Sequence, residues 1–213
     1  MPSQTIVAAG SRPDAQLFEY VLGLARGPRV LLDCTASPTF DGVLDLPVAP
    51  TRLSFWPWPP EDLRELALSH DVILVCGGNT ANLLAVWRVH GFDEILREAW
   101  ESGVVLSGWS AGMICWFQAS VTDSFGPQLA GLHDGLGFLP GSACPHYDAE
   151  ELRRPVYTSL VADGFPPGLA LDDAAAARFD GIELAEVVAS ARGAAGYRVE
   201  PRVEEQLETR LLS

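Results

Sequence analysis

Short apolar runs alternate with amphipathic stretches along the first half of the chain. Residues 5–8, 30–33, 52–55, 72–76 and 104–107 are rich in Val, Ile and Leu, a composition suited to strands buried on both faces. Between them, residues 14–25, 61–69, and 80–89 running on to 92–101 carry helical periodicity. Strand and helix alternating at this spacing predict a parallel sheet with crossover helices. Past residue 110 the pattern changes. Short apolar pieces at 136–138, 169–171, 175–179, 187–191 and 197–199 are separated by Gly, Pro and Asp, the sign of added antiparallel strands or hairpins. Residues 150–162 fit one more helix, and the polar end, 201–213, is also compatible with one. There is no internal repeat and no low-complexity linker. The expectation is one α/β domain over residues 1–213: a mostly parallel sheet with helices on both faces and short antiparallel strands added in the C-terminal half.

Composition narrows the partners. The 213 residues are 48% hydrophobic, too apolar for a disordered chain. No apolar run approaches the roughly 20 residues of a membrane helix, and the N-terminus lacks the basic start and apolar core of a signal peptide. A cytoplasmic protein is expected. A formal net charge of −14 would repel nucleic acid and anionic membranes. The four cysteines, Cys34, Cys76, Cys115 and Cys144, are far apart with no C-x-x-C pair. A zinc site is therefore not expected, and buried thiols in a reducing compartment are. The segment Phe55-Trp-Pro-Trp-Pro-Pro60 reads as a rigid extended loop packed on the core, or as a wall of a pocket.

The chemistry starts at Gly108-Trp-Ser-Ala-Gly112. This is the G-x-S-x-G pattern of a nucleophile elbow, preceded by a strand and followed by helix-compatible residues. Its glycines leave room for strand and helix to approach, and the amide after the serine can hold an oxyanion. A serine needs a base. His70 and His90 sit at helix C-termini, and His133 lies in a turn-rich, exposed segment. His146 follows a strand-like Gly-Ser-Ala-Cys and a proline and precedes a helix start, where open α/β sheets keep their sites. The loop Cys76-Gly-Gly-Asn-Thr80 runs from a buried strand to the helix cap Asn79, and suits a second oxyanion donor. Asn79 is a candidate substrate contact. Neither a P-loop nor a dinucleotide fingerprint is present. The acid stays open among Asp148, Asp123 and the pair Asp172-Asp173. The last of these follows a strand that could lie beside the histidine strand.

Five segments in order, Cys76-Gly-Gly-Asn-Thr80, Gly108-Trp-Ser-Ala-Gly112, Thr122-Asp-Ser-Phe-Gly126, Cys144-Pro-His-Tyr-Asp148 and Leu171-Asp-Asp-Ala-Ala175, resemble the peptidase E (aspartyl dipeptidase) family of serine peptidases. The fold this implies is the three-layer, flavodoxin-like α/β fold of the class I glutamine amidotransferases. The resemblance implies Ser110 as nucleophile and His146 as general base, with the Gly78 and Ala111 amides as the oxyanion hole. It places the acid at Asp173, ahead of Asp148 and then Asp123. It implies no cofactor and no metal, a short-peptide substrate, and a monomer or homodimer. Aspartyl dipeptidases need a cation for the substrate side chain. Their arginine has no clear match here, and Arg153 and Arg154 are the nearest candidates. The C-terminal extension of longer relatives has no expected counterpart. Serine at the elbow, where amidotransferases carry cysteine, disfavours glutamine amidotransfer. The alternative is a triad-bearing homologue without Asp-X activity, acting on another amide or as a binding or sensing protein.

Overall fold

The computed structural model describes residues 4–37 and 47–213. The first three residues, part of the start examined for a signal peptide, lie outside them. The chain begins with β1 (Thr5–Ala9), α1 (Ala15–Leu24), β2 (Val30–Asp33), β3 (Thr51–Leu53), α2 (Leu63–Leu68), β4 (Val72–Val75), α3 (Thr80–Val89), α4 (Phe92–Glu101), β5 (Val105–Trp109) and the single turn α5 (Ala111–Ile114). It continues as β6 (Phe117–Thr122), β7 (Ala130–Leu132), β8 (Leu139–Cys144), α6 (Arg153–Ala162), β9 (Gly168–Leu171), β10 (Ala175–Asp180), β11 (Glu183–Ala189), β12 (Gly196–Glu200), β13 (Val203–Gln206) and β14 (Thr209–Leu211).

The apolar runs of the first half build a parallel block in the order β1-β5-β4-β2-β3. Alternate side chains serve opposite faces. Ile6, Ala8, Leu31, Ile73, Val75 and Leu106 pack on one side with Leu83, Trp87, Phe92 and Leu96 from α3 and α4. Val7, Leu32, Val72, Leu74 and Val105 pack on the other with Leu17, Phe18 and Val21 of α1. Both faces are therefore covered by helices, as the continuous apolar strands require. β10 and β11 extend this sheet antiparallel beyond β1, and β14 closes that edge.

The added strands go further than expected. Six of them form their own sheet, β13-β12-β9-β8-β6-β7, in which β6, β8 and β9 are mutually parallel. One face joins the first core through Phe117, Leu139, Ala143 and Leu169. The other packs on α6 through Val121, Cys144, Ala170, Tyr157 and Val161. Two local expectations change with it. The elbow helix stops after one turn, because the aromatic, β-prone residues that follow enter β6 instead. The polar C-terminus is β13 and β14, not a helix. The residues of β13 are exposed throughout, so no apolar alternation marked them as a strand.

The expectation of buried thiols at Cys34, Cys76 and Cys115 fails at the first two. Cys34 and Cys76 form a disulfide, with Cα atoms 4.7 Å apart. β2 and β4 are neighbours with Asp33 opposite Val75, so the residues following each strand end side by side. Cys115 and Cys144 are free and buried. In the Trp-Pro segment only Phe55 enters the core. Trp58 is 82% exposed, and Trp56 borders a cavity of about 270 Å³ with Val86, Val89 and His90. That cavity lies at the C-terminal end of α3, a helix length away from the elbow. Among the described residues no helix is long and apolar enough to cross a membrane.

Candidate active site

Ser110 sits between the last residue of β5 and the first of α5, with φ 52° and ψ −112°. A non-glycine residue there carries strain on the order of 1–3 kcal/mol and persists only where its surroundings over-determine it. They do so here. Its amide donates to the Ala9 carbonyl at 3.3 Å, and its own carbonyl accepts from Met113 and Ile114 at 3.0 Å each. The flanking glycines are steric requirements. A Cβ on Gly108 would lie 2.4 Å from the Gly112 carbonyl oxygen, and one on Gly112 would lie 2.2 Å from that of Val75. The G-x-S-x-G spacing thus allows the turn to press directly onto β4.

The loop after β4 runs alongside Ser110. A Cβ on Gly77 would be 3.2 Å from the Cβ of Ser110. Gly78 packs against the Ala36 carbonyl, which also accepts the Asn79 amide at 2.9 Å. The Asn79 side chain is committed to structure. Its oxygen accepts from the Asn82 amide and its nitrogen donates to the Ser124 carbonyl, both at 2.9 Å. Ser124, in the turn after β6, completes the cap by accepting from the amides of Thr80 and Ala81. Ser124 belongs to the third quoted segment, yet nothing in its local sequence marks this contact across 44 residues.

His146 and Asp173 come together because their strands do. β8 and β9 are parallel neighbours, with Cys144 opposite Ala170. The segments leaving them therefore emerge side by side. The His146 Nδ1 lies 2.8 Å from Asp173 Oδ1. The chain then turns through Asp172–Ala174 and enters β10, which is antiparallel to β1. That direction puts the turn at the same sheet edge as the elbow. The Gly10 amide donates to the Ala175 carbonyl at 2.9 Å, and Ser11 Oγ accepts the Ala174 amide at 3.1 Å. The end of β1 thus touches the Ser110 turn on one side and the Asp173 turn on the other.

The remaining candidates have other partners. Asp148 accepts the Asp173 amide at 2.7 Å. Asp123 is exposed after β6, its carbonyl accepting the Gly126 amide. Asp172 is 3% exposed, and its Oδ2 accepts from the Ala195 amide and the Tyr197 hydroxyl. Burial pushes its carboxyl above the usual range, and the bond from Ala195 pulls the other way. Arg153 is 3% exposed, its guanidinium bound to Glu150 at 2.6 Å and to the Val121 carbonyl at 3.2 Å. Arg154 stacks on Tyr147 and Tyr197 and pairs with Glu204 at 3.0 Å. Cys144 is fully buried, and burial pushes its thiol up to about 12.

A serine on a strained strand-to-helix turn, and a histidine held by a carboxylate whose turn reaches the same sheet edge, are the arrangement found in hydrolases of the nucleophile-elbow class. The comparisons narrow the class. The model of peptidase family S51 matches residues 38–187, and this chain belongs to that family. The uncharacterized peptidase YgaJ of Bacillus subtilis (strain 168) is 51% identical over 194 residues, covering 86% of this chain and 84% of the relative. Two crystal structures share the fold. A peptidase from an acI-B1 Actinobacterium has a TM-score of 0.68 at 17% identity, over 96% of this chain and 94% of that one. A Listeria monocytogenes EGD-e structure named for peptidase E has a TM-score of 0.63 at 18% identity, over 97% of this chain and all of that one. The protein is a peptidase of the peptidase E family.

Proposed function

We propose that this peptidase hydrolyses short peptides through Ser110, His146 and Asp173, and that it does not depend on an acidic side chain in the substrate. The observation that carries the reading is the 2.8 Å contact between His146 Nδ1 and Asp173. With Nδ1 held by the carboxylate, the other ring nitrogen is left to serve the nucleophile. Ser110 Oγ attacks the scissile carbonyl as His146 takes its proton. The amides of Gly78 and Ala111 hold the oxyanion. Ala111 is the first residue of α5, so its amide has no acceptor within the helix. His146 returns the proton to the departing amine as the C–N bond breaks. Water, deprotonated by the same imidazole, then cleaves the acyl–serine ester and restores Ser110.

Substrate choice follows from the cations. Arg153 is spent on Glu150 and Val121, and Arg154 on two tyrosine rings and Glu204. Neither supports a subsite for an N-terminal aspartate, and a net charge of −14 disfavours acidic substrates at long range. A cytoplasmic setting fits the two buried free thiols, while the Cys34–Cys76 bond is the observation against it. The test is Ser110→Ala, assayed with a panel of neutral and acidic dipeptides alongside labelling by a fluorophosphonate. Turnover and labelling should both vanish. Turnover surviving in the variant overturns the mechanism, and a native Ser110 that never labels points to a binding or sensing role.

A further inference from the structure

The histidine and acid turns are joined by more than the imidazole–carboxylate contact. Three bonds connect residues 146–148 to residues 171–173. His146 Nδ1 meets Asp173 Oδ1 at 2.8 Å, the Tyr147 amide donates to the Leu171 carbonyl at 3.0 Å, and the Asp173 amide donates to Asp148 Oδ1 at 2.7 Å. They close a ring in which Asp173 is gripped at both ends, its carboxylate by the histidine and its backbone by Asp148. The ring sits between two residues in the left-handed region, His146 at φ 53° and Ala174 at φ 59°. Neither is glycine, so each conformation needs outside bonds to persist. Ala174 has one through Ser11 Oγ, and Asp173 has the bond to Asp148.

We infer that Asp148 is the positioning residue of the site: its carboxylate oxygen holds the Asp173 backbone so that the Asp173 carboxylate faces His146. This rests on the triad reading given above. Asp148 acts here as a hydrogen-bond acceptor, not as a charge. The two carboxylates repel each other, and what joins them is an amide proton. The role also separates Asp148 from the catalytic acid, for which chain position alone made it a rival.

The separating experiment uses the full chain and four proteins: native, Asp148→Asn, Asp148→Ala and Asp173→Asn. The readouts are the rate of fluorophosphonate labelling at Ser110, the NMR signal of the His146 Nδ1 proton, and the thermal midpoint. Asparagine keeps an acceptor oxygen, so Asp148→Asn should label within about twofold of native, while Asp148→Ala should lose about tenfold, the size of one ordinary hydrogen bond. Asp148→Ala should also shift or broaden the Nδ1 proton, which a merely structural loss far from the imidazole would not do. Asp173→Asn should be slower than either, by about a thousandfold or more, because the wrong tautomer is held. An Asp148→Asn protein as slow as Asp173→Asn makes Asp148 a charged catalytic group and overturns the assignment, whether or not the alanine variant folds. Native labelling in Asp148→Ala with slow labelling in Asp173→Asn also overturns it. Native labelling in Asp173→Asn overturns the triad reading itself.

Discussion

The indole of Trp87 donates to Asp33 Oδ2 at 2.8 Å, and both residues are completely buried. The other carboxylate oxygen accepts the amide of Thr35 at 2.8 Å and its hydroxyl at 2.5 Å. Trp87 is on α3 and Asp33 ends β2, so the pair fastens the helix that begins at the Gly77–Asn79 loop. The Asp33 carbonyl accepts the Cys76 amide at 2.8 Å, which fixes the start of that loop as well. Asp33→Ala would leave the indole and Thr35 unpartnered inside the protein, at a cost of about 3 kcal/mol. Chemical denaturation should show this as a lower midpoint with an unchanged slope.

Burial pushes the Asp33 carboxyl above its usual range, more strongly than the bonds from Thr35 and Trp87 pull it back. A raised folded-state value means that the native protein favours the neutral acid. The stability it contributes is complete below the ordinary carboxylate value, about 4. It is lost as pH rises from there through the raised value. The stability of the native protein relative to Asp33→Asn should therefore fall as pH climbs out of the acid range. A difference that is flat with pH, or that grows, would contradict the assignment.

Gly112→Ala tests the elbow without touching a reactive group. Its methyl would meet the Val75 carbonyl at 2.2 Å, and both sides of that contact are backbone. The turn must lift from β4, at a cost on the order of 3 kcal/mol. Labelling at Ser110 should fall with stability. A variant of native stability that labels normally would show that the close approach is not needed.

Arg153 and Arg154 should prove structural. Arg153→Ala removes a buried guanidinium from Glu150 and the Val121 carbonyl and should cost about 2 kcal/mol. Arg154→Ala removes the stacking on Tyr147 and Tyr197 and should cost about 1 kcal/mol. In neither variant should the ratio of kcat/KM for Asp-X over Ala-X dipeptides change. A selective loss on the acidic substrate would restore the residue concerned as a substrate contact.

The cysteines can be counted by alkylation and mass spectrometry. Cys115 and Cys144 are buried, and burial raises both thiols, Cys144 to about 12. Neither should react in the native protein near neutral pH. Both should react once it is denatured, and Cys34 and Cys76 should follow only after reduction. Four reactive thiols on denaturation without reductant would mean that the Cys34–Cys76 bond is absent from the isolated protein.

Much of the parallel block was legible, because strands such as Val72–Val75 are buried on both faces and so leave a continuous apolar run. The elbow was legible as a five-residue pattern, although its glycines answer partly to the Val75 carbonyl of β4, far back in the chain. That a strand ends just before His146 and another just before Asp172-Asp173 was also readable, but their lying side by side was only one possibility until the register of β8 on β9 was seen. What escaped was set by distance along the chain. The Cys34–Cys76 bond follows from the register of β2 against β4, which no spacing announces. The second sheet pairs β6, β8 and β9 across long intervals of chain, and no local pattern says which strands will be neighbours. Asn79 carries the signature of a cap, but its other bond, to Ser124, depends on where the turn after β6 comes to rest. Asp148 could be ranked only by nearness to His146, and the amide it actually binds lies 25 residues on.

The turn from β9 to β10 carries the chain from one sheet to the other, and Asp173 is on it. Ser110 follows a strand of the eight-stranded sheet, whereas His146 follows a strand of the six-stranded one. Each sheet has its own ladder of hydrogen bonds, so a loss of docking between them that spared the ladders would be nearly silent in a circular dichroism spectrum. It would not be silent at Ser110. Labelling of that serine is a gauge of how well the two sheets are docked, and under mild denaturant it should fade before the secondary structure does.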